Sequence, residues 1–205
     1  MGIWVIDNLT LQELNELCNI RVNDKSYDLR GLNMIGLNLV KADLAFFDMS
    51  GSNLEQSKLL GASLSGTKFI ESRLYRTDFS YAFITGSTLR GANLSEADMT
   101  GTLMEYADLS NAILKNAKLV SAHLGRAIFD KADLTNADLS KANLFEAEFG
   151  VANLTSVKLC NANIKGADLS KANLTNCNLK GAFYSAATKT PNGWNLSKYG
   201  AVLTE

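Results

Sequence analysis

The chain has almost no proline: Pro191 is the one such residue in 205. It also has little histidine (His123 alone), and its three cysteines, Cys18, Cys160 and Cys177, are an odd number at unrelated spacings. That cysteine count argues against a disulfide framework and fits a reducing compartment. No apolar run approaches the roughly 18 residues that a membrane-spanning helix needs. The opening MGIWVIDNLT has no basic segment followed by an apolar stretch and a small-residue cleavage site, so the expectation is a cytoplasmic protein without an export signal. Charge of one sign is missing as well. Twenty Lys and Arg stand against 21 Asp and Glu, a formal net charge of −1, which gives no general attraction to nucleic acid. At 46% apolar residues the chain is too hydrophobic to be disordered and long enough for one domain or two.

What is there instead is a repeat. From Leu29 to Leu179 every fifth residue is large and apolar, 31 positions in unbroken register: 21 Leu, 4 Phe, 4 Met and 2 Ile. Two residues earlier in each unit, from Ala42 to Ala182, the side chain is small at almost every step, and 19 of those 29 positions are Ala. Asp, Asn or Lys mostly lies between, so the unit reads A-(D/N)-L-x-x, most clearly in ADLTNADLSKANLFEAEFGVANL at 132–154. A helix cannot satisfy this period, because five residues advance about 500° and separate successive leucines by about 140°. A flat strand cannot either, since a five-residue step alternates faces. A chain that turns a corner in every unit can. Glycines at the last position of the unit, such as Gly51, Gly66 and Gly101, support a tight turn there. Four corners then close a coil of 20 residues, and stacked coils pair at about 4.8 Å. The scarcity of proline follows, because a proline in a coil removes a pairing donor.

This pattern, over about 155 residues, resembles the pentapeptide-repeat proteins. The resemblance implies an all-β fold, a right-handed quadrilateral parallel β-helix of about eight coils, with the central Leu or Phe and the small residue inside. Residues 27–184 form the expected solenoid, closed by an N-terminal cap (1–26) and a C-terminal capping tail (185–205). Thr10-Leu11-Gln12-Glu13 is a capping box with Leu9 and Leu14 as its staple, which places a capping helix near 10–19. Tyr27, Leu32, Leu37 and Phe47 are large where later units are small, so the first coils are expected to be wider. In the tail, KTPNGWNLSKYGAVL resembles the closing segments of cyanobacterial and plastid members, with Trp194 and Val202 expected to cover the last coil. With both ends capped, a monomer is expected.

Catalytic signatures are lacking: no G-K-[ST], H-E-x-x-H, C-x-x-C or G-x-S-x-G occurs. The reading is therefore of a non-enzyme, with no cofactor and no metal. Cys177 takes an interior position and reads as inert core, whereas Cys160 points outward. The resemblance carries one sharp alternative, since the quinolone-resistance members of the family imitate B-form DNA and bind DNA gyrase. A mimic needs about one negative charge per 1.7 Å of axis. Residues 28–181 hold 16 acidic and 16 basic side chains, and no face of the coil is an acidic stripe. The face that collects Lys41, Lys58, Lys118, Lys141, Lys158 and Lys180 interleaves them with Asp78, Asp98 and Asp138, which reads as salt-bridged surface and makes nucleic acid an unfavoured partner. What remains is an interaction scaffold for an unidentified protein. Its candidate site is an outward column, Asp43, Ser63, Phe83, Leu103, His123, Asn143, Asn163, in which Phe83 and Leu103 break the polar pattern and Tyr81 and Tyr106 stand at nearby corners. Thr135, Thr155 and Thr175 form a second, uncharged strip reminiscent of ice-binding ladders.

Overall fold

The computed structural model of the protein describes residues 28–205. The expected N-terminal cap, with its helix near 10–19, lies outside the described residues, as do Cys18 and Tyr27.

The chain meets itself every twenty residues. Asp28 pairs with Asp48, Asn33 with Asn53, Asn38 with Lys58 and Asp43 with Ser63, all parallel, and this continues without a gap to Asn163 and Phe183. Residues 52–56 show how one unit uses its donors. Ser52 N–H closes a turn on Met49 O at 3.1 Å, and Asn53 N–H reaches down one coil to Leu32 O at 2.9 Å. Leu54 and Gln56 donate upward to Arg73 O at 2.8 Å and Tyr75 O at 2.9 Å. That leaves Glu55 N–H, which the Asn53 side-chain oxygen accepts at 3.1 Å. All five donors are used. The last bond explains why the residue before the central Leu is so often Asp or Asn: its side chain satisfies the one amide that the coil-to-coil ladder leaves out. The same bond runs from Ser50 N–H to Asp48, from Ser80 N–H to Asp78, from Thr100 N–H to Asp98 and from Ser140 N–H to Asp138.

The corners require a left-handed residue. The last position of each unit from Gly31 to Gly181 has φ near +60°, filled by glycine at ten corners and by other residues at the rest, except at Val151 and Lys171. A positive φ at the second turn residue is what a type II turn demands. Around Gly150 the corner is built differently. Gly150 itself takes the positive φ (48°), and Val151 N–H turns to the Asp130 carboxylate at 3.2 Å. The five-residue register survives this change, since Asn153 still pairs with Asp133 and Asn173.

The interior is two side chains per unit. The central residues and the small residues are buried at nearly every rung, including Phe129 and Phe149, which stack at 5.0 Å with 7° between planes. Where the small residue carries a hydroxyl, a backbone carbonyl accepts it: Thr67 bonds Leu44 O, Thr77 bonds Leu54 O and Ser87 bonds Leu64 O in the coil below, at 2.7–2.8 Å, while Ser52, Ser72 and Thr102 bond the carbonyl of their own turn. The slot therefore admits Ser and Thr in place of Ala without stranding a polar group. Leu32 and Phe47 are buried large residues in this slot, and Leu37 is half-buried against the core. Cys177 is buried, and that burial pushes its thiol up to about 12.

Beyond Leu179 the chain keeps pairing with shifted steps. Strand β1 (Phe183–Tyr184) pairs in parallel with β2 (Val202–Leu203), and Lys189 pairs with Asp168. Between them a 3-10 turn, Leu196–Tyr199, is capped by Asn195 and stopped by left-handed Gly200. Leu196 and Ala201 are buried, and Trp194 packs partly against the core while stacking on Tyr199 at 4.4 Å. Val202 differs from the sequence expectation: it is 46% exposed, and it holds the tail through its N–H to Ala182 O. Leu196 covers the core in its stead, because the 3-10 turn brings it inward. The tail is also tied by Lys189 to Asp168 at 3.0 Å.

Leu119 is fully buried between coils that their backbone ladders hold apart. Leu119→Ala should therefore lower unfolding free energy by about 2–5 kcal/mol in urea titrations, because the cavity cannot close. A hydrogen bond from the Ser170 hydroxyl, reinforced by the Lys189 ammonium, holds the Asp168 carboxyl at about 2. The unfolded chain titrates this group near 4, so its stabilising contribution is complete above about pH 4 and is lost as pH falls towards 2. Wild type should lose thermal stability faster than Asp168→Asn between pH 4 and pH 2, measured as melting midpoints. Parallel pH profiles would show that the tail tie contributes nothing.

Candidate functional site

The stacking turns the outer surface into columns. Asp43, Ser63, Phe83, Leu103, His123, Asn143 and Asn163 are consecutive partners in one backbone ladder, which runs on to Phe183. Phe83 is 49% exposed, whereas Leu103 beside it is half-buried. Tyr81 and Tyr106 are both exposed and sit at opposite edges of this face, one at the corner entering it and the other at the corner leaving it. The Tyr81 ring lies over Gly101: a Cβ there would come within 2.6 Å of it. Phe46 lies over Gly66 in the same manner. Tyr106 leans along its own edge, where Arg126 donates to its hydroxyl at 3.0 Å and bonds Glu146 at 2.7 Å. His123 Nδ1 stands 3.5 Å from Glu105, whose other oxygen accepts from Thr85 at 3.3 Å. The carboxylate lies between hydroxyl and imidazole, so this trio is no nucleophile-and-base relay.

A further signal in the sequence marks this column and is missed when only apolar residues are sought. Ser63, Phe83, Leu103 and His123 are four successive rungs without Asp or Asn, the longest such run among the described residues. The following amides, among them those of Thr85, Glu105 and Gly125, thus forgo the side-chain acceptor used elsewhere. Ile113 and Ile128 are also exposed in this slot, but each stands alone on a different face.

The other faces are occupied differently. Lys118 pairs with Asp98 at 3.5 Å and Lys158 with Asp138 at 3.2 Å, so two lysines of the lysine-rich face are each matched by an aspartate on the adjoining rung. Elsewhere Arg73 pairs with Glu55, Arg76 with Glu96, Arg90 with Asp108 and Lys115 with Asp133. On the threonine strip, Thr155 donates to Asn153 at 2.6 Å and accepts from Asn173 at 3.0 Å, and Thr135 is bonded likewise to Asp133 and Asn153. Those hydroxyls are engaged by the ladder itself. A cleft of about 450 Å³ near Gly150 and Gly166 is lined by Arg126, Glu146, Asp168 and Lys189, which already form two ion pairs. Among the described residues no group of His, Cys, Asp and Glu is placed to hold a metal ion. Cys160 is half-buried.

A family model for pentapeptide repeats matches the chain in eight copies, over residues 48–86, 77–116, 107–144 and 152–183. The chain belongs to the pentapeptide-repeat family. Among solved members, HetL from the cyanobacterium Nostoc sp. strain PCC 7120, a protein involved in heterocyst differentiation regulation, is 31% identical over 82% of each chain, with a TM-score of 0.43. A member from the Arabidopsis thaliana thylakoid lumen is 40% identical over 47% of this chain and 68% of its own, at a TM-score of 0.46. QnrB1, a plasmid-mediated fluoroquinolone resistance protein, is 15% identical over 87% of this chain and 86% of its own, at 0.40. No curated protein matches the chain.

The two kinds of corner glycine on this repeat face can be told apart. At Gly86 (φ +65°) an added Cβ would meet nothing within 4 Å, whereas at Gly101 (φ +64°) the Tyr81 ring is in the way. Both Ala variants carry the left-handed strain of about 1–2 kcal/mol. Gly101→Ala should lose more in urea unfolding than Gly86→Ala and should shift tyrosine fluorescence, since the ring must leave its seat. Equal losses would place Tyr81 elsewhere in solution.

Proposed function

We propose that the protein is a non-enzymatic interaction scaffold that binds a protein partner through the face carrying Phe83 and Leu103. In this reading the rod is a right-handed quadrilateral solenoid of about eight coils, rigid enough to present a flat strip. The observation that carries the proposal is the four-rung run without Asp or Asn, which gives up local hydrogen bonds and sets an exposed phenyl ring in a polar surface. Positions where a sequence departs from its own local rule without internal gain are where function is to be sought. Exposed aromatic anchors beside polar groups suit a protein partner. Gyrase binding by DNA imitation is the less favoured reading, because most acidic side chains of the coil already face a Lys or Arg and leave no continuous negative track.

Asparagine at the two positions separates folding from binding. Phe83→Asn with Leu103→Asn supplies the acceptor that the Thr85 and Glu105 amides lack, so stability should hold or rise by about 1 kcal/mol per bond. Binding to a partner recovered by affinity capture should fall at least tenfold by calorimetry. Retained affinity in the folded variant would remove this face from the function. A supercoiling assay checks the other reading, in which micromolar protein inhibits DNA gyrase.

A further inference from the structure

The column through Phe83 and Leu103 is self-complementary. Its four rungs without Asp or Asn are flanked by Asp43 on one side and Asn143 on the other. A two-fold axis lying across the face, midway between the Phe83 and Leu103 rungs, exchanges the rungs in pairs and reverses the rod. We propose that this face binds a second copy of the same chain, forming an isologous dimer of antiparallel rods. The proposal rests on the reading of Phe83 and Leu103 as a binding surface, and it names the partner.

Under that axis Phe83 of each copy, exposed in the single chain, meets the half-buried Leu103 of the other. Because the Tyr81 ring lies over Gly101, it spans both central rungs and stands at the axis, where it meets its own counterpart. At the opposite edge Tyr106 comes against Gly86, a corner with no atom within 4 Å of a Cβ position. Further out, Ser63 faces His123, Ser65 faces Gly125, and Thr85 faces Glu105. Asp43 faces Asn143, and Ala45 faces the exposed Phe145. Along these two columns no charge meets one of its own sign, and the single like pair on the face, Lys41 against Lys141, falls at the corner of the outermost rungs. A parallel dimer about an axis along the rod would instead bring Leu103 against Glu105 and bury a carboxylate on an apolar side chain. Six rungs give a contact roughly 25 Å long on one flat side. That is small beside obligate interfaces, so the dimer should be reversible, in the range of about 10 μM. The monomer expected from capped ends concerns end-to-end stacking and does not bear on a lateral face.

The test is sedimentation equilibrium of the full chain from about 1 to 300 μM, together with charge-swapped variants. Wild type should pass from monomer to dimer across this range. Phe83→Lys and Leu103→Glu should each abolish association, while far-UV spectra and melting stay native. An equimolar mixture of the two should recover the dimer, since one Lys then faces one Glu and the other Phe–Leu contact is native. Should either charged variant misfold, Phe83→Asn or Leu103→Asn takes its place for the loss of association. A wild type that stays monomeric overturns the proposal, as does a dimer that both substitutions leave intact. A mixture that fails to associate overturns the antiparallel register. If wild type is monomeric yet the asparagine variant still loses a different captured protein, the binding face stands and the second copy as its partner falls.

Discussion

The structure depends on one constraint: every backbone amide of a five-residue unit has to find an acceptor although the chain turns a corner in each unit. Residues 52–56 meet it with three coil-to-coil bonds, one turn bond and one bond to the Asn53 side chain. Orphaned amides are costly, so this requirement selects residue types more strictly than propensity does. It favours Asp or Asn before the central Leu and glycine or a strained left-handed residue at the corner. Proline fits only where the ladder makes no demand, and Pro191 lies in the tail, outside the repeat.

The same ladder decides what the surface can do. Residues twenty apart are locked beside one another, so a surface property appears as a column and never as a scattered patch. Opposite charges on successive rungs find each other without further design, as Lys118 and Asp98 or Arg126 and Glu146 do. Such exposed pairs add little to stability, but they cancel the field that a nucleic-acid mimic would need. Threonine columns become hydrogen-bonded chains for the same reason, with Asn153 and Asn173 linking one rung to the next. An apolar side chain has no such outlet, and two on adjoining rungs, Phe83 and Leu103, leave apolar surface in water.

The period of five, the buried positions and the column of Phe83, Leu103 and His123 are all legible in the sequence, because each follows from counting by five and twenty. Details that depend on side-chain direction are not. Tyr81 and Tyr106 look equivalent in the sequence, yet one lies against Gly101 and the other is held by Arg126. Gly150 sits one position away from the usual corner, and nothing in the five-residue pattern tells that it takes the positive φ itself. Val202 reads as a lid because it is apolar and late in the tail, but the 3-10 turn gives that place to Leu196. Periodicity governs the coils, whereas the tail obeys its own caps.

The role of Asp and Asn as amide acceptors changes the meaning of their absence. On the other faces the rungs without Asp or Asn, such as Ile113 or the pair Ile128 and Glu148, come no more than two in succession, within what a stable ladder tolerates. Four successive rungs without the acceptor, Ser63 to His123, remove it from a continuous stretch, and the two central rungs add apolar area that folding alone would leave in water. Neither change helps the isolated chain fold, and in the proposed reading their coincidence on one strip is offset by a gain made outside it. A partner that covers Phe83 and Leu103 supplies that gain by removing apolar surface from water. The repeat therefore acts as a ruler: it fixes what each position ought to be, and function shows as the interval where that expectation fails in several rungs together.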